Sequence, residues 1–531
     1  MKVNGWFIAS ALLVLAVAAF AGCTGTSSTT TSAGTSMATD QAATSGSTLS
    51  GNSNGPSGGM PRSGNSSSSG GPGGPGGMIP GGNSSSTGMG PGGSPPGGMG
   101  PGGNSSSSQG MGGPVGPGSM PDGAPGGSSS GSSSYTFSGV YSLDGGTASE
   151  TGATYTSDTK DVSAVYVTSG GDLTLTSPTI VTSGETSSND ASSFYGLNAA
   201  VLASGGSKVT INGGTITTSG SGANGAFPTG TGSTIILNGV TIRATGGGGH
   251  GVMATNGGTL ILADVDIDTT GANSAPLATD RGSGTVTATG GTILSSGRDS
   301  PAIYSTGVIT VSDATATATG SEAAVIEGFN SIILKNTTLT GGVEKTGGTM
   351  IYQSMSGDAN AGTGTFTMDG GSYTSTAGPA FFITNTNAVI TLTGVKVTSN
   401  SDTLISAAGT DRWGTTGKNG GTVTFIADGE ALTGSLVTDS ISSIAATLTN
   451  GSSLTGAINS AALTLDAIST WTVTGNSALT TLSDASGISG TTITNIYGNG
   501  YTVTYDASLA GNSGLGGKTY TLANGGTLTP K

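Results

Sequence analysis

The sequence predicts an all-β fold, a single-stranded right-handed parallel β-helix (solenoid), preceded by a disordered N-terminal tether. Three observations lead there. Of 531 residues, 101 are Gly, 33% are hydrophobic and only 8% are charged. A compact globule of that length needs more large apolar side chains, whereas each coil of a solenoid buries a narrow strip of small and β-branched residues. After Tyr135 a unit of short β-branched runs and Gly/Asn turns recurs at a spacing of roughly 23 to 26 residues. Within each unit, apolar and polar residues alternate with the period of a strand.

The first element is an export leader, residues 1–22. Lys2 gives a positive start, and Trp6 to Ala19 is an apolar run too short for a comfortable membrane span. Phe20-Ala21-Gly22-Cys23 follows. Small residues before a cysteine resemble the lipobox of prokaryotic lipoproteins, although Phe20 stands where that motif usually has Leu. The resemblance implies that the Cys23 thiol takes a diacylglyceryl group and anchors the chain to the membrane. Cys23 is the only cysteine, so no disulfide forms within the chain.

Residues 23–134 form the tether. They carry almost no charge and few large side chains, and Gly-Gly-Asn-Ser-Ser-Ser recurs at Gly81 and Gly102. Such a segment cannot bury enough surface to offset its ordering entropy. As a Gly-rich coil it reaches roughly 50–60 Å. Asn65, Asn83 and Asn104 begin Asn-Ser-Ser sequons within it.

Residues 135–531 hold the coils. Lys208-Val-Thr-Ile-Asn-Gly-Gly-Thr-Ile-Thr-Thr-Ser-Gly220 is matched by the segments beginning at Thr234, Thr259 and Thr285, with further copies near Val308, Ser331, Thr365, Val389 and Thr422. Each reads strand, tight turn, strand, Gly-rich turn, third short strand. Period 2 places Ile235, Leu237, Val240 and Ile242 inside. Gly, Asn and Asp occupy the sharp turns, where positive φ is expected. Asn-Gly also signals a hairpin, so an antiparallel sandwich or propeller is the competing architecture; the unit is shorter than a propeller blade. Longer gaps, Gly341–Gly364 and Gly409–Gly421, are expected to be inserted loops. From about residue 440, larger residues including Trp471, Tyr497, Tyr501, Tyr505 and Tyr520 are expected to cap the stack.

These repeats look like those of adhesin-like right-handed parallel β-helix surface proteins, which share the architecture of pectate lyases and autotransporter passengers. The resemblance covers about Tyr135 to Lys531 and implies architecture more than activity. Neither a translocator barrel nor a sorting motif precedes Pro530-Lys531, and the lipid anchor is expected to serve in their place.

The formal charge of −14 excludes a nucleic-acid partner, which needs a basic stripe. One histidine, His250, leaves no Cys/His zinc site. Asp264, Asp266 and Asp268 are the densest carboxylates and the only calcium candidates. Aligning Ile242 with Ile267, however, sets Arg243 beside Asp268 as an exposed ion pair. Arg281 and Arg298 each adjoin an Asp and read as surface charges, and His250 as a solvated loop residue. Arg412 and Trp413, in an inserted loop, are candidate ligand contacts; the rival reading is a buried Trp anchoring that loop.

The expectation is therefore a non-enzymatic protein of the cell envelope, lipid-anchored and facing outward, whose partners are glycans, matrix or other cells. It touches the membrane only through the anchor and uses no cofactor, with calcium the one ion in question. The alternatives are an extracellular polysaccharide lyase or hydrolase and a purely structural envelope component. Ice or mineral binding by a Thr ladder is disfavoured, because outward positions vary among Thr, Arg, Asp and Leu.

Overall fold

The computed structural model describes residues 135–531; the leader, Cys23 and the tether lie outside the described residues. The chain from Gly139 onward winds as a right-handed parallel β-helix. One coil consists of Lys208–Asn212, Thr215–Thr218 and Ala226–Pro228, and the next of Thr234–Asn238, Thr241–Ala244 and Val252–Ala254. Each strand pairs in parallel with its counterparts below and above, so Ile235 lies between Val209 and Leu260. The stack therefore presents three faces, numbered here by the order of the strands in a coil. The second strands form a 10-stranded sheet, and the first and third strands join the terminal coils in a 34-stranded one.

The alternation of the sequence is the alternation of the structure. Ile235, Leu237, Val240 and Ile242 are buried in one continuous apolar column that runs from Tyr155 to Leu528. Stacking in register buries identical positions on one another, which is why β-branched residues suffice without large ones.

Two turns set the coil shape. Between first and second strands the chain reverses through a left-handed residue. Ser177, Asp264, Asp313, Asn336 and Asn450 take φ of 46–56° there, where other coils use Gly. Between second and third strands, Gly220, Gly246, Gly271 and Gly297 stack directly. A Cβ on Gly246 would run into the Gly220 carbonyl, and one on Gly297 into that of Gly271, so only glycine lets the coils approach.

The two ends differ. At the C-terminal end Trp471 is wholly buried and its Nε1 donates to the Gly456 carbonyl at 2.9 Å. The Tyr505 hydroxyl donates to Lys518 O and that of Tyr520 to Leu515 O, pinning the 3-10 helix Ala510–Leu515. Of the expected capping aromatics, Tyr501 remains exposed. At the N-terminal end Gly139–Asp144 and Thr147–Thr151 alternate between half-buried and exposed; each pairs with the next coil on one side and with no described strand on the other. Glu150 sits in the inner column beneath Leu175 and accepts the Tyr155 hydroxyl at 2.8 Å.

Insertions close the third face. The helix Asn189–Tyr195 starts at the Ser188 side chain, which caps the Ala191 amide, and ends at left-handed Gly196. It docks through the Phe194 carbonyl, which accepts from Thr255 Oγ1 at 2.8 Å and Asn256 Nδ2 at 2.9 Å. Beside it, the outward side chains Leu202, Phe227, Met253 and Ala278 form a small satellite core. The expected insertion Gly341–Gly364 is not one loop. The third strand Thr349–Tyr352 passes through its middle and divides it into a tight turn and a loop. The apolar, β-branched signature of that strand is too short to stand out between glycines.

Candidate functional site

On the third face the outward residues of successive coils line up. Thr255, Asp280, Thr306, Glu327 and Tyr352 stand in one column, with Ala278, Tyr304, Val325 and Met350 beside them. Glu327 is 1% exposed. It accepts from the Tyr304 hydroxyl at 3.0 Å, the Tyr352 hydroxyl at 2.9 Å, the Ser354 amide at 3.2 Å and the Ser354 hydroxyl. Four donors satisfy that carboxyl group inside an apolar surround. Burial, with Glu327 close by, pushes both tyrosine hydroxyls well above their usual range.

The network continues outward. Ser354 Oγ lies 2.8 Å from Ser356 Oγ, which donates to Asp358 at 2.8 Å. Asp358 accepts from Arg281 Nε at 3.2 Å and Nη2 at 2.8 Å, and the guanidinium lies 3.7 Å from the centre of the Phe194 ring. Arg281 therefore ties the helix Asn189–Tyr195 to the loop after Thr349–Tyr352. Half-buried Asp280 accepts only the Arg281 backbone N–H, at 2.7 Å. Burial pushes its carboxyl up to about 8, and the neighbouring Asp358 and Glu327 add to the rise.

An open cleft of about 330 Å³ adjoins this network and is lined by Arg298, Asp299, Glu322, Lys345, Arg412 and Trp413, among others. Glu322 is spoken for by the hydroxyls of Ser321 and Thr346. Arg298 pairs with Asp299 at 2.6 Å. Among the described residues, Lys345 and Arg412 form no ion pair.

The sequence-derived candidates fall as follows. Trp413 is 8% exposed, packed with Val325, Met350, Tyr352 and Phe382, its ring 5.0 Å from that of Tyr352. It packs its loop onto the third face and leaves little of its ring to the cleft. Exposed Arg412 stacks on it, 4.7 Å from the ring centre. Asp264, Asp266 and Asp268 are drawn to different neighbours. Asp264 sits in a left-handed turn, Asp266 accepts from Thr292 N and Oγ1, and Asp268 faces Arg243 at 3.8 Å. Among the described residues no group of three His, Cys, Asp or Glu is placed to hold a metal ion. The structure corrects two readings. Arg281, expected as a surface charge, is half-buried and pairs with Asp358, far along the chain. His250 is half-buried rather than solvated. Its Nδ1 and backbone N–H both meet Asn224 Oδ1, and burial lowers its pKa to about 4. Because the same oxygen accepts the backbone N–H, Nδ1 is the protonated nitrogen.

Sequence reasoning missed Asp280, Glu327 and Asp358. The available signal was an acid two places past an outward apolar residue, as in Ala278-Thr-Asp280 and Val325-Ile-Glu327.

Fold and face together define a parallel β-helix protein with insertions clasped over its third face. No protein-family model and no curated protein matches the chain.

Proposed function

We propose that the chain is a non-enzymatic binding protein of the cell surface, a rod held to the envelope by lipid on Cys23 that contacts glycans, matrix or other cells. What favours binding is a contrast on the third face. Glu327, Asp358 and Glu322 are engaged by donors of their own chain, while Arg412 and Lys345, around an open cleft, form no ion pair among the described residues. Spent carboxylates suit a support; unpaired cations on a rigid scaffold suit ligand contact. The test incubates the protein with insoluble polysaccharides and intact cells, scoring retention and released sugar ends together. Retention without released ends, reduced by Arg412→Ala with Lys345→Ala, is the expected result. Release of sugar ends would overturn it.

One observation favours an extracellular polysaccharide lyase or hydrolase instead. A carboxyl raised to about 8 is protonated at neutral pH, as a general acid must be, and Asp280 is such a group. Release of sugar ends that disappears in Asp280→Asn would establish that alternative. Neither retention nor release would leave a structural envelope role.

A further inference from the structure

Near the C-terminal end a short hairpin leaves the coil. Ile488–Ser489 pairs antiparallel with Thr492–Ile493, and the Thr494 N–H closes its base on the Gly487 carbonyl at 3.0 Å. Asp484 stands at that base, 2% exposed. Its Oδ1 accepts from the Gly487 N–H and from Asn495 Nδ2, both at 3.0 Å. Its Oδ2 is buried without a partner among the described residues, and so is Asn495 Oδ1. A Cβ placed on Gly487 would run into both of these oxygens, so they border the same spot. Turning the Asn495 amide over does not relieve them. It would set the amide oxygen against Asp484 Oδ1 and against the Ser469 carbonyl, which Nδ2 now reaches at 3.3 Å. Two buried acceptors side by side are costly unless one of them carries a proton.

We propose that Asp484 is a neutral carboxylic acid in the folded chain and that its paired contact with Asn495 is a proton-operated latch on this hairpin. The acid donates from Oδ2 to Asn495 Oδ1 while Asn495 Nδ2 donates to Asp484 Oδ1, a two-bond ring that satisfies both side chains. Burial favours the same state, pushing the Asp484 carboxyl up against the opposing pull of the Asn495 and Gly487 N–H groups. The titratable groups of the neighbouring elements are occupied elsewhere. Asp466 accepts the amides of Asn450, Ile468 and Ser469, and Asp506 accepts from Ser508. The Tyr505 hydroxyl donates to the Lys518 carbonyl, and Tyr497, two places beyond Asn495, is half-buried on its strand. No charged group adds to the rise at Asp484. The folded state thus holds a proton that the unfolded chain gives up near pH ~3.9. The latch contributes fully below that value and fails as pH rises through the folded pKa. Once ionised, Asp484 turns a charged oxygen on Asn495 Oδ1 and the hairpin lifts. Thr492 pairs with Thr521 and buried Ile493 with Leu522, so the last coil loses a neighbour when that happens. Alkali therefore loosens the C-terminal cap while the coils below stay wound. This inference does not depend on the function proposed above.

The test follows the full chain over a pH range of about 4 to 9 by infrared difference spectroscopy and hydrogen exchange. Parent minus Asp484→Asn should show the carbonyl band of a protonated carboxyl at pH values where ordinary aspartates are ionised. Protection of the amides of 486–494, corrected for the intrinsic pH dependence of exchange, should fall at least about tenfold as that band disappears. In Asp484→Asn the new side-chain N–H donates to Asn495 Oδ1 at every pH. Its hairpin should match that of the protonated parent and show no pH dependence. Asp466→Asn should leave the band in place. Circular dichroism should report intact coils in both variants. A band that Asp484→Asn does not remove, or one whose loss leaves the hairpin as protected as before, would overturn the proposal. So would a hairpin that opens only when calcium is chelated, which would put an ion rather than a proton between the two oxygens.

Discussion

Arg281 and Asp358 lie 77 residues apart in sequence and 2.8 Å apart in space, joined by a guanidinium that also covers the Phe194 ring. In a solenoid each coil ordinarily touches only its neighbours. This pair breaks that rule by linking two insertions from distant coils. Arg281→Ala would leave a carboxylate that is 10% exposed without its cation. A cost of about 1–3 kcal/mol is expected, together with faster proteolysis in both the helix Asn189–Tyr195 and the loop at 353–362. Arg281→Lys should restore only part of it, because a point charge cannot make two bonds and cover a ring at once. Limited proteolysis with thermal melting checks both.

The two perturbed groups of the third face give opposite pH slopes. Asp280 has a folded pKa raised to about 8 against about 3.9 unfolded. The native state then holds the extra proton between those values, and the contribution of Asp280 to stability falls as pH rises from about 4 to 8. His250 has a folded pKa lowered to about 4 against about 6.5 unfolded. There the unfolded state holds the extra proton, and stability falls as pH drops from about 6.5 to 4. Asp280→Asn is therefore expected to gain stability relative to the parent progressively up to pH 8, with His250→Asn losing its own pH-dependent difference below about 6.5. Melting curves of parent and variants across pH 4–9 separate the two; an Asp280→Asn difference that does not change with pH would contradict the assignment.

Trp413 and Arg412 are adjacent but should fail differently. Trp413→Ala removes the ring that seats its loop on Tyr352 and Met350, at an expected cost of about 3–5 kcal/mol, expressed as local opening of 408–421. Arg412→Ala removes an exposed stack worth about 0.5–1 kcal/mol and should leave melting almost unchanged while lowering ligand retention. Hydrogen exchange of the loop, measured beside retention, reads both effects.

Much of the fold was readable because it is repetitive. The inward set Ile235, Leu237, Val240 and Ile242 and the cross-coil pair Arg243 with Asp268 follow from period 2 and one alignment of repeats. What was not readable lies on the third strands. Val252–Ala254 and Leu277–Thr279 are three residues long and covered on both sides, so they carry no alternation from which a face could be inferred. Asp358 is brought beside Asp280 by a loop whose path no local pattern encodes.

Glu150 offers a further prediction. It places a carboxylate in the inner column at the end that no other described strand covers, where strand edges would otherwise recruit other chains. Glu150→Leu should extend the apolar column to the rim and increase end-to-end association. Light scattering at rising concentration would show it, and Glu150→Gln should behave nearly as the parent does.

The unequal ends and the Arg281–Asp358 link acquire a different meaning under load. A pull applied through the segment before Tyr135 falls first on Gly139–Asp144, the first strand among the described residues, and would strip coils one at a time like a zip. That stripping reaches the helix Asn189–Tyr195 within its first turns of the stack. From there the tension passes by way of Phe194, Arg281 and Asp358 to coils well beyond the advancing fork, so several must yield together. The molecule thus has a soft lead-in followed by a mechanical stop, which lets it give slightly under a tug without coming apart.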